Sequence, residues 1–249
     1  MLPFSPRCGT GGIYIAPAGM KRIWESIIKG YLRAIEPVAA LLVKLRINPN
    51  ALTTIGTVCT VAGGLAFGMG HIRTAGWVIG LTAIFDVLDG TVARRTGQST
   101  VFGAFYDSTL DRVADGAVLG GIAYFFAASA EHRNVPMVGV TLVAIVGTYL
   151  VSYTRARAEG LGIDAKVGVM QRPERVVLLS VPQAFFGLAL GGKVLMAVVV
   201  VLALTAWITA FQRIAFVRRT TLNTVSTPLR VLNDKSPLPA RNSSRRAQS

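Results

Sequence analysis

Four stretches of this 249-residue chain, residues 48–70, 135–154, 176–192 and 194–212, contain no Asp, Glu, Lys or Arg. A helix needs about 20 mostly apolar residues to cross the hydrocarbon layer of a bilayer, and each stretch is close to that length. Residues 74–93 and 101–130 are also apolar, except where aspartates interrupt them. In lipid, backbone polar groups must be satisfied within the segment, and a helix does this. The chain therefore reads as an all-α integral membrane protein with six transmembrane helices. A composition 52% hydrophobic and only 15% charged excludes an ordinary soluble domain. The two cysteines, Cys8 and Cys59, cannot build a disulfide framework.

Net charge is +14, but its distribution speaks for topology and against nucleic acid. Of 26 Lys and Arg, 22 fall before the first span, after the last, or in the second–third and fourth–fifth connections. The opposite connections hold only Arg73, Arg133 and Lys193. By the positive-inside rule this asymmetry puts both termini in the cytoplasm, and the basic excess suits anionic membrane lipids. No RNA-binding motif or interleaved aromatic platform accompanies it.

Residues 20–36 mix Lys, Arg and Glu with Ile, Trp and Leu at helical spacing, which predicts an amphipathic helix lying at the cytoplasmic interface. Residues 1–19 read as a disordered leader, with Met20 a candidate start. Residues 20–216 read as one membrane domain and 217–249 as a basic disordered tail. Small-xxx-small pairs, Gly64/Gly68 and Gly116/Gly120, predict close helix packing within the chain. Pro182 is expected to kink the fifth span, residues 176–192.

The acidic residues are placed where solvation is hardest. Asp86, Asp89, Asp107 and Asp111, with Asp115 beyond them, gather at one end of the second and third spans. Spacings of three and four put each pair on one helix face. The short connection around Gly97 is expected to bring the two acidic faces against each other. Each ionised Asp at mid-membrane costs about 3 kcal/mol on insertion scales. Protonation, basic partners or divalent metal could compensate. Converging hard oxygen donors suit Mg²⁺, Mn²⁺ or Ca²⁺ best.

These residues spell D-x2-D-G-x2-A-R-x8-G-x3-D-x3-D, from Asp86 through Gly90, Ala93, Arg94 and Gly103 to Asp111. The pattern resembles the signature of the CDP-alcohol phosphatidyltransferases, with every fixed position present. The resemblance implies a six-helix bundle with cytoplasmic termini, in a multi-pass protein of the bacterial cell membrane whose active site faces the cytoplasm. It implies that Asp86, Asp89, Asp107 and Asp111 bind Mg²⁺, one ion or two, with Mn²⁺ as a substitute, and that Asp111 is the general base. It further implies that Asn48, Pro49, Asn50, Ala51, Gly90, Arg94 and Thr100 contact CDP-diacylglycerol.

Arg155, Arg157, Lys166, Arg172 and Arg175 populate the fourth–fifth connection and the start of the fifth span. A cytoplasmic loop should be basic in any case. Arginine beside a helix N-terminus also suits capture of an acceptor that carries phosphate. The run S-Y-T-R-A-R-A-E followed by R-P-E-R is similar to the actinobacterial phosphatidylinositol phosphate synthases of that family. It implies a homodimer that uses inositol 1-phosphate. Glycerol 3-phosphate, as in phosphatidylglycerophosphate synthases, is the nearest alternative acceptor. A cation or proton transporter is the rival from another class, but it should distribute polar residues through the membrane depth. A scaffold gives no reason for the acids.

Overall fold

A computed structural model of the chain describes residues 36–45, 47–97 and 100–223, apart from the side chains of Val87, Asp89 and Ala93. The expected interfacial helix before residue 36, the leader and the tail beyond residue 223 lie outside the described residues. Residues 36–44 are helical. Six longer helices follow: α1 (Pro49–Gly68), α2 (Ile72–Thr96), α3 (Val101–Ala128), α4 (Val135–Gly160), α5 (Arg172–Phe186) and α6 (Lys193–Asn223). A 3₁₀ turn, Ala189–Gly192, joins the last two. There is no strand among the described residues.

Local chemistry sets the helix starts. The Asn48 side chain accepts from Asn50 N at 3.0 Å, and Pro49 follows at the first helical position, where a missing N–H costs nothing. Thr100 Oγ1 accepts from Gly103 N at 2.9 Å to open α3. Asn134 Oδ1 accepts from Met137 N at 3.2 Å to open α4. In α5, Gln171 N donates to Glu174 Oε2 at 2.5 Å, so the glutamate of R-P-E-R serves the helix start.

The helices close a ring. α1 packs on α2 and α3, α3 on α4, α4 on α6, α6 on α5, and α5 on α2. Phe67, Ile79, Ile122, Phe126, Leu195 and Val199 fill its centre. Outward positions such as Val58, Leu65, Leu81, Leu204 and Phe211 are exposed and apolar, the surface a bilayer requires. Among the described residues four helical stretches are long and apolar enough to cross a membrane: α1, α2, α4 and Ala189–Leu222. The third expected span, α3, is 28 residues long and carries Asp107, Asp111 and Asp115.

The fifth expected span, residues 176–192, needs correction. α5 starts earlier, runs through Pro182 and stops at Phe186 after 15 residues, about 22 Å at 1.5 Å per residue. Gly187, Gly191 and Gly192 take positive φ there (54°, 63° and 74°), as does Leu190 (59°), so the chain turns where hydropathy alone reads a continuous run.

The expectation that α2 and α3 press their acidic faces together is also revised. Among the described residues they are not principal packing partners; α1 lies against both. Gly64 explains the closeness on the α3 side, since a Cβ there would come 2.5 Å from Ala117 O. Gly68 faces Gly121 and Tyr124. On α3 the close-packing positions are thus Ala117 and Gly121, and Gly120 has open space around its Cβ direction. The predicted pair Gly116/Gly120 is therefore displaced by one residue, roughly 100° around the helix. Gly116 instead makes room for the Tyr149 hydroxyl, which donates to Arg112 O at 2.9 Å and ties α4 to α3.

Candidate active site

The C-terminal half of α2, the start of α3, the end of α4 and the start of α5 meet at one end of the ring. Four ion pairs define the place. Arg172 Nη1 lies 2.5 Å from Asp86 Oδ2, and its Nη2 lies 2.8 Å from Asp111 Oδ1. Arg175 Nη2 lies 3.4 Å from Asp115 Oδ2. Arg112 Nη1 stands 3.8 Å from the other oxygen of Asp111. Asp107, one turn before Asp111, is close enough to feel the charges of Asp86, Arg172 and Arg112. The acids of α2 and α3 do converge, across a gap spanned by a guanidinium from α5.

That gap opens into a cavity of about 540 Å³, whose polar lining includes Asp107, Asp111, Asp115, Arg155, Arg172, Arg175 and Arg213. A smaller cavity, about 50 Å³, lies against it and shares Asp115, Arg172 and Arg175. It adds Asp86 and the bonded hydroxyls of Thr60 and Thr82, 3.1 Å apart. Arg172 Nε and the Nε and Nη1 of Arg175 are buried with no protein partner among the described residues. A buried donor in that state is costly unless water or a ligand meets it.

The expected acceptor residues divide. Arg155, Arg172 and Arg175 line the large cavity; Arg157 and Lys166 do not. Lys166 pairs with Asp164 at 2.9 Å, and Arg155 pairs with Glu159 at 2.8 Å from within the lining. Arg213 is a residue that sequence reasoning passed over, grouping it with the basic residues after the last span. It is buried, donates from Nε to Val167 O at 2.9 Å and from Nη1 to Val151 O at 2.5 Å, and so ties α6 to α4 and to the α4–α5 connection. Its setting between Phe211 and Phe216 was the available signal, because a cation there is not a loop residue.

The nucleotide-side residues gather around the α1 and α3 starts. A Cβ at Gly103 would lie 3.1 Å from Thr100 Oγ1 and 3.4 Å from Asn50 Oδ1, which brings the 48–51 stretch against the signature. Thr54 Oγ1 and Tyr106 OH, 3.0 Å apart, fasten α1 to α3 just below. On α2 the Arg94 guanidinium folds over Gly90, 3.3 Å from where a Cβ would stand, with Nη2 3.3 Å from Thr91 Oγ1.

Among the described residues no three His, Cys, Asp or Glu side chains are grouped as metal ligands; the Asp89 side chain lies outside them. The donor chemistry nevertheless fits a hard divalent cation. Carboxylates from two helices already share one cation, Arg172, and Asp107 adds a third to the same charge cluster.

Comparison with known proteins agrees with this geometry. A family model described as CDP-alcohol phosphatidyltransferase matches residues 46–217. The phosphatidylinositol phosphate synthase of Streptomyces avermitilis is 37% identical over 196 residues, covering 76% of this chain and 80% of that protein. Among solved structures, Mycobacterium tuberculosis phosphatidylinositol phosphate synthase with CDP-DAG bound superposes with a TM-score of 0.68 at 34% identity, covering 74% of this chain and 94% of that one. The same enzyme in complex with manganese and citrate gives 0.67 at 34% identity, covering 73% and 88%.

Proposed function

The chain belongs to the CDP-alcohol phosphatidyltransferase family, and on that premise we propose that it transfers a phosphatidyl group from CDP-diacylglycerol to inositol 1-phosphate, releasing CMP. The arginine-lined cavity opening on Asp111 supports an acceptor that carries phosphate, and the similarity to phosphatidylinositol phosphate synthases supports inositol 1-phosphate among such acceptors. Arginine presents a planar fork that matches phosphate oxygens in pairs.

Asp111 accepts the proton of the acceptor hydroxyl as that oxygen bonds to the diacylglycerol-bearing phosphorus. The bond from this phosphorus to the bridging oxygen breaks, and CMP leaves with the electron pair. Asp86, Asp89, Asp107 and Asp111 would hold a divalent ion, Mg²⁺ or Mn²⁺, which when bound supplies neutralisation of the pyrophosphate and leaving-group charge. Asn48–Ala51, Thr100 and Gly90–Arg94 receive the nucleotide end, supported by the convergence of Asn50, Thr100 and Gly103. Arg155, Arg172, Arg175 and Arg213 receive the acceptor phosphate. The protein works as a homodimer in the cell membrane, both termini and the site on the cytoplasmic side; the 22-against-three cation asymmetry supports this orientation. Acyl chains then stay in lipid while nucleotide and acceptor stay in water.

Purified protein with CDP-diacylglycerol and Mg²⁺ is to be offered inositol 1-phosphate, inositol, glycerol 3-phosphate and serine in parallel, with CMP release and lipid product measured. Inositol 1-phosphate should be the preferred acceptor, and chelation of the divalent ion should stop turnover. Preference for glycerol 3-phosphate, which presents the same phosphate to the same arginines, would replace the acceptor assignment and leave the reaction type standing.

A charge-assisted hydrogen bond is worth about 1.5–3 kcal/mol, so Arg175→Ala should raise the acceptor KM roughly 10–100-fold, with a much smaller effect on CDP-diacylglycerol. Arg157→Ala, outside the cavity lining, should change either KM by less than about twofold. Equal sensitivity to both substitutions would mean that bulk positive charge, and not the cavity, attracts the acceptor.

A further inference from the structure

We propose that Arg172 is a cation shared between the two halves of the site. It neutralises Asp86 and Asp111 when no divalent ion is bound, and on metal loading it is released to the acceptor's phosphate, so that metal binding completes the acceptor site. The second half of this statement rests on the acceptor reading above.

Four arginines line the cavity around Asp111 from α4, α5 and α6, and three have anchors outside the metal-ligand set. Arg155 is held by Glu159, Arg175 by Asp115 and Arg213 by two backbone carbonyls. Arg172 alone of these four spends its fork on Asp86 and Asp111, carboxylates that would hold the ion. The two acids sit on helices that do not principally pack on each other, so the guanidinium is the bridge between them. A divalent ion and a guanidinium cannot both lie between the same two carboxylates, because they compete for the same oxygens and repel each other.

Arg172 is also placed to move a short way. It is the first residue of α5, its side chain is 26% exposed, and it lines the large cavity where the acceptor phosphate is proposed. Release therefore asks only for a change of side-chain rotamer, with the helix start held by Gln171 and Glu174. Linkage makes the coupling reciprocal: whatever draws Arg172 away from the carboxylates strengthens ion binding by the same factor.

The test reads metal binding directly, without CDP-lipid, acceptor or turnover. Mn²⁺ affinity of the purified full chain in detergent is measured by electron paramagnetic resonance for the unaltered protein, Arg172→Gln, Arg172→Lys and Arg218→Gln. Arg218 is exposed near the end of α6, away from the site. Removing the competitor should tighten Mn²⁺ binding at least tenfold in Arg172→Gln. Lysine, a point charge that cannot fork to both acids, should fall between. Arg218→Gln should leave affinity unchanged. Unchanged or weaker Mn²⁺ binding in Arg172→Gln overturns the proposal, as does equal tightening in Arg218→Gln. If Arg172→Gln does not fold, Arg172→Lys decides alone, tightening supporting and no change overturning. Product formation in the acceptor panel remains the separate test of function: an enzyme that makes the expected lipid but whose Mn²⁺ affinity ignores residue 172 keeps its activity and loses the shared cation.

Discussion

Asp111→Asn is expected to lower kcat by about 10²–10⁴-fold, the usual worth of a positioned acid–base group, while the protein folds and still binds CDP-diacylglycerol. Asparagine matches aspartate in shape and its carbonyl oxygen can still accept from Arg172, now 2.8 Å from Asp111 Oδ1. The contacts that fasten α3 to α1 and α4, Gly64 against Ala117 and the Tyr149 hydroxyl on Arg112 O, are made by other residues. What the amide cannot do is take a proton from the acceptor hydroxyl. The check is a pair of measurements on the same preparation, kcat with saturating substrates and CDP-lipid binding by calorimetry. Turnover close to that of the unaltered enzyme would remove Asp111 from the role of base. Lost CDP-lipid binding would instead assign it chiefly to holding the ion and pyrophosphate.

Gly64→Ala is the second large effect, on stability. The added methyl would stand 2.5 Å from Ala117 O and 2.7 Å from its carbonyl carbon, backbone atoms that cannot rotate out of the way. α1 and α3 must separate, and overpacking of this kind costs about 1–3 kcal/mol. In lipid the loss falls on the close contact that drives helix association. For a chain of this size the unfolding midpoint in detergent should drop by about 2–12 °C. Gly120→Ala, with open space around it, should shift the midpoint by less than about 1 °C. A comparable loss at both positions would mean that α3 presents a different face to α1. Because α1 also carries Asn50 against Gly103, separation should weaken CDP-diacylglycerol binding as well.

Much of the site is legible in the order of residues along the chain. The signature aspartates lie on continuous helices α2 and α3, where spacings of three and four force side chains onto one face. The Asn-Pro-Asn start of α1 and the threonine start of α3 are local capping chemistry and are equally visible. Relations between helices are not. Which glycine of α3 meets α1 depends on a rotation of one residue, and apolar sequence on all sides of a lipid-facing helix gives no stripe to reveal it. The short α5 escapes detection because a run without charged residues looks continuous and gives no sign that Gly187, Gly191 and Gly192 adopt positive φ.

Composition, and spacing along single helices, are enough to establish the all-helical membrane character, the basic and acidic ends, and the signature that marks the family. Helix packing had to be seen to learn that α1 separates α2 from α3, that Arg172 reaches across the gap to Asp86 and Asp111, and that Arg213 closes the cavity while Arg157 and Lys166 stay outside it. The difference is one of range. Helical periodicity fixes a side chain's direction relative to its near neighbours on the same helix, whereas charges as far apart in the chain as Asp86 and Arg172 meet only after packing has set how the helices cross.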